Sequence, residues 1–289
     1  MMKRLALLAF AATFALPVSA QISTKIYAQQ LVDDVVARNP GLLVIVMHVS
    51  PPNSPDNLII ASNIGRIGKK GDEDDMRVIT TEKTNLEVAH GGTRFEVELV
   101  LRDTSGGNLG ALGLVFPYKA GESKAALEKK AEKIRDALAK RILNVANLMD
   151  PYPLDPLATT KTHAQKLVDA TAARHPELLS LALHVSPPKG KDNIILASTF
   201  GRHGKKADAD DLKVIETGQA IASVYGEGKR FGVELPLQDA SGKTIGALSV
   251  GYAHKAGHNE AALVKKAEQL RDELRKQIPA VENLVELDP

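Results

Sequence analysis

His48-Val49-Ser50-Pro51-Pro52 recurs 136 positions later as His184-Val185-Ser186-Pro187-Pro188. The match continues on either side without a gap. Ala28-Gln29 meets Ala164-Gln165, Gly68-Lys69-Lys70 meets Gly204-Lys205-Lys206, and Phe95 through Leu99 meets Phe231 through Leu235. From Ala28 to Leu148 about half of the aligned pairs are identical. Solenoid repeats have periods of roughly 20–50 residues, so a period this long describes tandem domains, each large enough to own a core. Between the copies, Met149 to Thr162 carries Pro151, Pro153 and Pro156, the composition of a semi-rigid spacer.

Each copy changes hydrophobic period in the same order. Ile26, Leu31, Val32, Val35 and Val36 follow helical spacing, which Asn39-Pro40 ends. Leu42 to Val49 is nearly continuous and apolar, as in a strand covered on both faces. Leu58 to Ala61 reads as a second strand, followed by a basic glycine loop from Gly65 to Gly71. Asp72 to Met76 starts a short acidic helix. Thr80 to Gly92 has no readable pattern. Arg94 to Leu101 and Leu109 to Val115 form a hairpin. A long amphipathic helix closes the copy, with Leu127, Ala131, Ile134, Leu138, Ile142 and Val145 on one stripe.

The chain begins as an exported protein would. Lys3 and Arg4 precede an apolar run from Leu5 to Leu16, and Val18-Ser19-Ala20 offers a cleavage site before Gln21. A periplasmic or secreted location is therefore expected. The chain has no cysteine, which removes disulfides, thiol nucleophiles and zinc–thiolate sites. Two of the 37 basic residues lie in the leader, so the remainder balances the 35 acidic ones. That neutrality argues against nucleic acid as a partner. Aromatics make up only 4% of the chain and tryptophan is absent, too little for stacking platforms.

The order of elements now reaches a family. Asn57-Leu58-Ile59-Ile60-Ala61-Ser62, then Gly65, Gly68 and Asp74-Asp75, resembles the strand-and-loop signature of Cache-type extracytoplasmic sensor domains. Arg94-Phe95-Glu96-Val97-Glu98-Leu99, then Asp103, Ser105, Gly106 and Gly110-Ala111-Leu112, resembles that family's final hairpin. Leu235 to Leu248 repeats it in the second copy. The resemblance implies an α+β fold of two tandem PAS/Cache-like domains, each an antiparallel sheet of about five strands flanked by long N- and C-terminal helices. The expected boundaries are 1–20 for the signal, 24–149 for the first domain, 150–162 for the linker and 163–289 for the second domain. It also implies a small-molecule pocket between the sheet and the glycine-loop to hairpin segment. Amine-binding members carry an Asp on the last strand, where this chain has Leu114-Val115 and Val250-Gly251, so an amine ligand is not implied. Of those members' aromatic segment only Tyr225 is present, with Ala89 at the same place in the first copy.

The residues that could line such a pocket are few. His48 and His184 are polar groups on apolar strands and must find partners. Arg66 and Arg202 sit in the glycine loops, and Arg94 and Arg230 open the hairpin strands. Guanidinium pairs of this kind fit an organic anion. With Tyr225 they complete the candidate ligand site, in a mostly apolar cleft. The loops are not nucleotide P-loops, and Asp72-Glu73-Asp74-Asp75 lacks the alternation of a calcium loop, so no metal or cofactor is assigned. Ser186-Pro187-Pro188-Lys189 imitates a Ser-x-x-Lys pair, but it lies in a turn and has Asn53 in place of the lysine in the first copy. No motif supplies a nucleophile, base and orienting group, so an enzyme is not expected. The sequence points to a periplasmic binding or sensing protein acting through a separate membrane receptor or transporter. The alternative is a structural or interaction module with degenerate pockets.

Overall fold

The computed structural model describes residues 25–287. The leader at 1–20 lies outside the described residues. In the first copy the elements are α1 (Tyr27–Arg38), β1 (Val44–Val49), β2 (Leu58–Ser62), α2 (Glu73–Thr81), β3 (Asn85–Ala89), β4 (Arg94–Arg102), β5 (Asn108–Pro117), α3 (Lys124–Ala139) and α4 (Val145–Met149). The second copy runs α5 (His163–Arg174), β6 (Leu178–Val185), β7 (Ile194–Ser198), α6 (Ala209–Thr217), β8 (Ile221–Tyr225), β9 (Arg230–Gln238), β10 (Thr244–Ala253), α7 (Glu260–Arg275) and α8 (Val281–Leu284). Two five-stranded sheets result, ordered β2-β1-β5-β4-β3 and β7-β6-β10-β9-β8, and all their pairings are antiparallel. The class is α+β.

Strand alternation divides each sheet between two environments. Ile45, Met47, Phe95, Val97, Leu99, Leu112 and Leu114 pack with Leu31 and Val32 of α1 and Ile134 and Leu138 of α3 into one core. On the opposite face α2 is the one helix that docks among the described residues, with Val78 against Val100 and Ala111. The rest of that face is a cleft, and it corrects the expectation that Leu42 to Val49 is covered twice. Val44 and Val46 are half-exposed where Ile45 and Met47 are fully buried.

Local chemistry sets the boundaries. Asp72 caps α2 through its side chain, and Asp75 returns a bond to the Asp72 backbone N–H. Asp208 and Asp211 repeat this capping box on α6. Gly110 and Gly246 stand where a Cβ would lie 1.9 Å from the carbonyl oxygen of His48 or His184. Only glycine lets the last strand approach the histidine strand this closely.

Two expectations change. The stretch from Thr80 to Gly92 contains the end of α2 and the edge strand β3, whose residues are half-buried or exposed and so lack an apolar signal. The stripe ending at Val145 is not one helix. Helix α3 stops at Ala139, and Asn144 caps a separate α4 by accepting from the Asn147 N–H at 2.8 Å.

The proline-rich spacer is strapped down. Tyr152 N–H donates to Lys25, and Asp155 N–H donates to the carbonyl of His203 in the second copy. Asn147, fully buried, donates to the Phe200 carbonyl at 3.0 Å, and Phe200 packs near Leu143.

Two clefts on matching sheet faces

The face left open by α2 and α6 forms a cleft in each copy. The cleft over the first sheet has a volume of about 200 Å³ and is lined by His48, Arg66 and Arg94. The cleft over the second sheet is about 420 Å³ and is lined by His184, Arg202, Tyr225 and Arg230. Every candidate residue therefore reaches one of the two clefts, between the sheet, the glycine loop and the hairpin. Leu143 and Asn144 from the first copy help close the second cleft.

The size difference follows from substitutions on the cleft face. Val44, Glu96 and Val115 of the first copy are Ser180, Gly232 and Gly251 in the second. The two glycines seat the ring of Tyr225. A Cβ on Gly232 would lie 3.1 Å from its Cε1, and one on Gly251 would lie 3.2 Å from its hydroxyl oxygen. The Tyr225 hydroxyl bonds the Ser180 side chain, and burial raises its pKa.

The arginines divide by copy. Arg202 and Arg66 hold the left-handed region at φ 62° and 65°, an uncommon conformation for a side-chain-bearing residue. Arg202 Nε donates to Asp150 Oδ2 at 2.7 Å. Arg230 is 8% exposed and donates from Nη2 to Asp103 Oδ2 and to the Leu143 carbonyl, both at 2.8 Å, while Nε bonds Ser105 Oγ. These guanidinium groups already pair with carboxylates of the chain. In the first cleft Arg66 and Lys69 have no ion pair among the described residues, and Arg94 meets only His90 Nε2, at 3.2 Å.

The histidines are not core residues bonded to backbone. His48 Nδ1 faces Asp75 Oδ2 at 3.4 Å, and His184 Nδ1 faces Asp211 Oδ2 at 3.1 Å. Burial depresses the pKa of His48, partly offset by Asp75. Burial alone would raise Asp211, yet the contact with His184 outweighs it and holds that carboxyl low.

On the far side of His184, Nε2 lies 2.9 Å from Ser249 Oγ, and the same hydroxyl bonds Glu234 Oε2. Burial pushes Glu234 up to about 8. A protonated Glu234 completes a consistent chain: acid to hydroxyl, hydroxyl to imidazole, imidazole to ionised Asp211.

Sequence reasoning missed this arrangement, because Ser249 and Glu234 belong to no motif. It contains the connectivity of a serine–histidine–aspartate triad, which no sequence motif announces. The Ser249 hydroxyl is nonetheless engaged on both sides. The expectation of a mostly apolar cleft is also corrected. Asp75, Glu96 and Glu98 line the first cleft and Asp208, Asp211 and Glu234 the second.

No family model matches the chain, and no curated protein is significantly similar to it in sequence. Solved structures overlap part of it. The GAF domain of A. aeolicus nlh2 in an inactive state aligns at 12% identity and a TM-score of 0.32, over 40% of this chain and 85% of its own. Another GAF domain aligns at 12% identity and 0.31, over 55% and 98%. The inducer-binding domain of the Acinetobacter transcription factor PobR, a double mutant with 3-hydroxybenzoic acid, aligns at 12% and 0.29, over 43% and 99%. These likenesses assign no residue of either cleft.

Proposed function

We propose that this protein is an exported binding and sensing module that takes a small organic ligand and passes the resulting change to a separate membrane receptor or transporter. The domain boundaries 24–149 and 163–289, the spacer 150–162 and the cleaved leader 1–20 belong to this reading. The second cleft is the ligand site. One observation carries this choice: its volume of about 420 Å³ falls within the usual range of small-molecule sites, while that of the first cleft falls below it.

The lining selects the ligand's chemistry. Tyr225 offers an aromatic face, and Ser180, Ser223 and Ser249 offer hydroxyls. Lys205 is the cleft cation without an ion pair among the described residues. A compact molecule with several hydrogen-bonding groups and at most one negative charge fits this set. Ligand binding to the folded state raises the melting temperature, so a metabolite library screened by thermal shift identifies it. Tyr225→Ala, which installs the first copy's residue, and Lys205→Ala are expected to abolish that shift. A library that shifts nothing, or hits that shift both variants as they do wild type, overturns the reading in favour of an interaction module.

A further inference from the structure

The contact between the two copies is asymmetric. The first copy offers acids: Asp103 and Ser105 in its hairpin turn bond Arg230, and Asp150 at its C-terminal end bonds Arg202. The second copy offers those arginines and its glycine loop. Phe200 and His203, on either side of Arg202, are only 8% and 4% exposed. The loop backbone is covered as well. A Cβ added at Gly201 would lie 2.7 Å from Tyr27 Cε2, and one at Gly204 would lie 2.2 Å from Asp155 Cβ.

A repeat joined through an asymmetric contact carries each half of that contact twice and uses each once. The unused arginine half lies on the first copy, and it is bare. Arg66 has no ion pair among the described residues, and Arg94 meets His90. Ile64 and Ile67, at the positions of Phe200 and His203, are 42% and 58% exposed. A Cβ at Gly65 or Gly68 would meet nothing within 4 Å. The unused acid half lies on the second copy, and it is built like its counterpart. Asp239 Oδ1 accepts the turn N–H groups of Ser241 and Lys243, as Asp103 Oδ1 accepts those of Ser105 and Gly107. Its Oδ2, the atom with which Asp103 holds Arg230, has no hydrogen-bond partner among the described residues. Glu286 takes the place of Asp150. Its carbonyl accepts from His163 N–H as that of Asp150 does from Tyr27 N–H, and Asn283 donates to its side chain as Asn147 does to Asp150.

We propose that the two unused halves meet between molecules, so that the chain associates head-to-tail with a second molecule of itself. Arg66 and Arg94 of one molecule grip Glu286 and Asp239 of the next, and the opposite charges fix the register. Pro279 and Ala280 stand where the first copy has Leu143 and Asn144, so the next molecule supplies the first cleft with the wall that the second cleft already has. Inside the chain the spacer holds the two copies together at an effective concentration of about millimolar. Between molecules that help is gone, so the association depends on protein concentration. It does not rest on the organic ligand assigned to the second cleft.

Sedimentation velocity of the full chain over a concentration series tests this. The weight-average mass of wild type should rise with concentration. Arg66→Glu and Glu286→Arg each set like charges against one another and should weaken association roughly tenfold or more. Both residues are exposed and lie outside the cores, so each variant should fold. Mixed in equal amounts, the two variants pair through reversed charges at one contact and native charges at the other, and should associate as wild type does. A symmetric dimer through some other face would respond neither to the substitutions nor to the mixing. Wild type that stays monomeric at millimolar concentration, single variants that associate as wild type does, or a mixture that does not recover overturns the proposal. The thermal-shift response through Tyr225 is read separately, so either assignment can fail alone.

Discussion

Arg230 reaches back 127 positions to Asp103, with Nη2 at 2.8 Å from Oδ2, and both side chains are nearly buried, at 10% and 13% exposure. The guanidinium also holds Ser105 and the Leu143 carbonyl, so one side chain ties the second hairpin to the first copy. Its counterpart Arg94 meets His90 and has no ion pair among the described residues. Breaking a buried, hydrogen-bonded pair leaves a charge unpaired and costs on the order of 3 kcal/mol. Removing a half-exposed arginine costs under about 1 kcal/mol. Urea denaturation of Arg230→Ala and Arg94→Ala should therefore separate the two clearly. Equal losses would mean that the contact between the copies contributes little.

Glu234 gives a pH signature. Its pKa stands at about 8 against an ordinary 4.5, because burial disfavours the ionised form. A raised folded value means the contribution is fully present below about 4.5 and is lost as pH rises through about 8. Glu234→Gln, which keeps a donor for Ser249 and cannot ionise, should be more stable than wild type by more than about 1 kcal/mol at pH 8.5 and about equal to it at pH 5. A constant difference across that range would show that Glu234 does not carry the proton.

His203 gives the opposite signature. Burial lowers it to about 4 from 6.5. It lies 4% exposed, edge-on to Tyr152 at 5.9 Å, with Nε2 2.8 Å from Gln165 Oε1. As pH falls, the unfolded chain takes the proton first, so stability present above about 6.5 is lost progressively down to about 4. The loss is on the order of 3 kcal/mol. His203→Leu should flatten the decline in melting temperature between pH 7 and pH 4.5. The same slope in the variant would assign acid sensitivity elsewhere.

Ser249 has the triad's connectivity without a free hydroxyl, since Glu234 occupies its other side. A binding protein should then give no covalent adduct with a fluorophosphonate probe and no hydrolysis of p-nitrophenyl acetate above that of Ser249→Ala. Intact-mass detection of an adduct on Ser249 would convert the second cleft from a ligand site to an acyl-transfer site.

Much of this was written in the sequence. The register of His48 with His184 announced the repeat, and both sheets have the same strand order. Asp72 and Asp208 marked helix starts that are capped as their chemistry requires. The candidate histidines, arginines and Tyr225 all line a cleft. The edge strand β3 stayed hidden because an exposed strand buries no apolar stripe to signal it.

What the sequence determined are properties set within a few residues: helix caps, strand alternation, glycines where backbones touch, and the repeat itself. Alternation put Glu96 and Glu98 on one side of β4, but it could not say that Asp72 and Asp75 at the start of α2 would meet Glu98. It likewise gave no sign that Ser249 would stand between His184 and Glu234, or that Arg230 would pair with Asp103. Those partnerships join strands and helices far apart in the chain. They depend on how elements dock, because desolvation and charge pairing act through space and leave no period in the sequence.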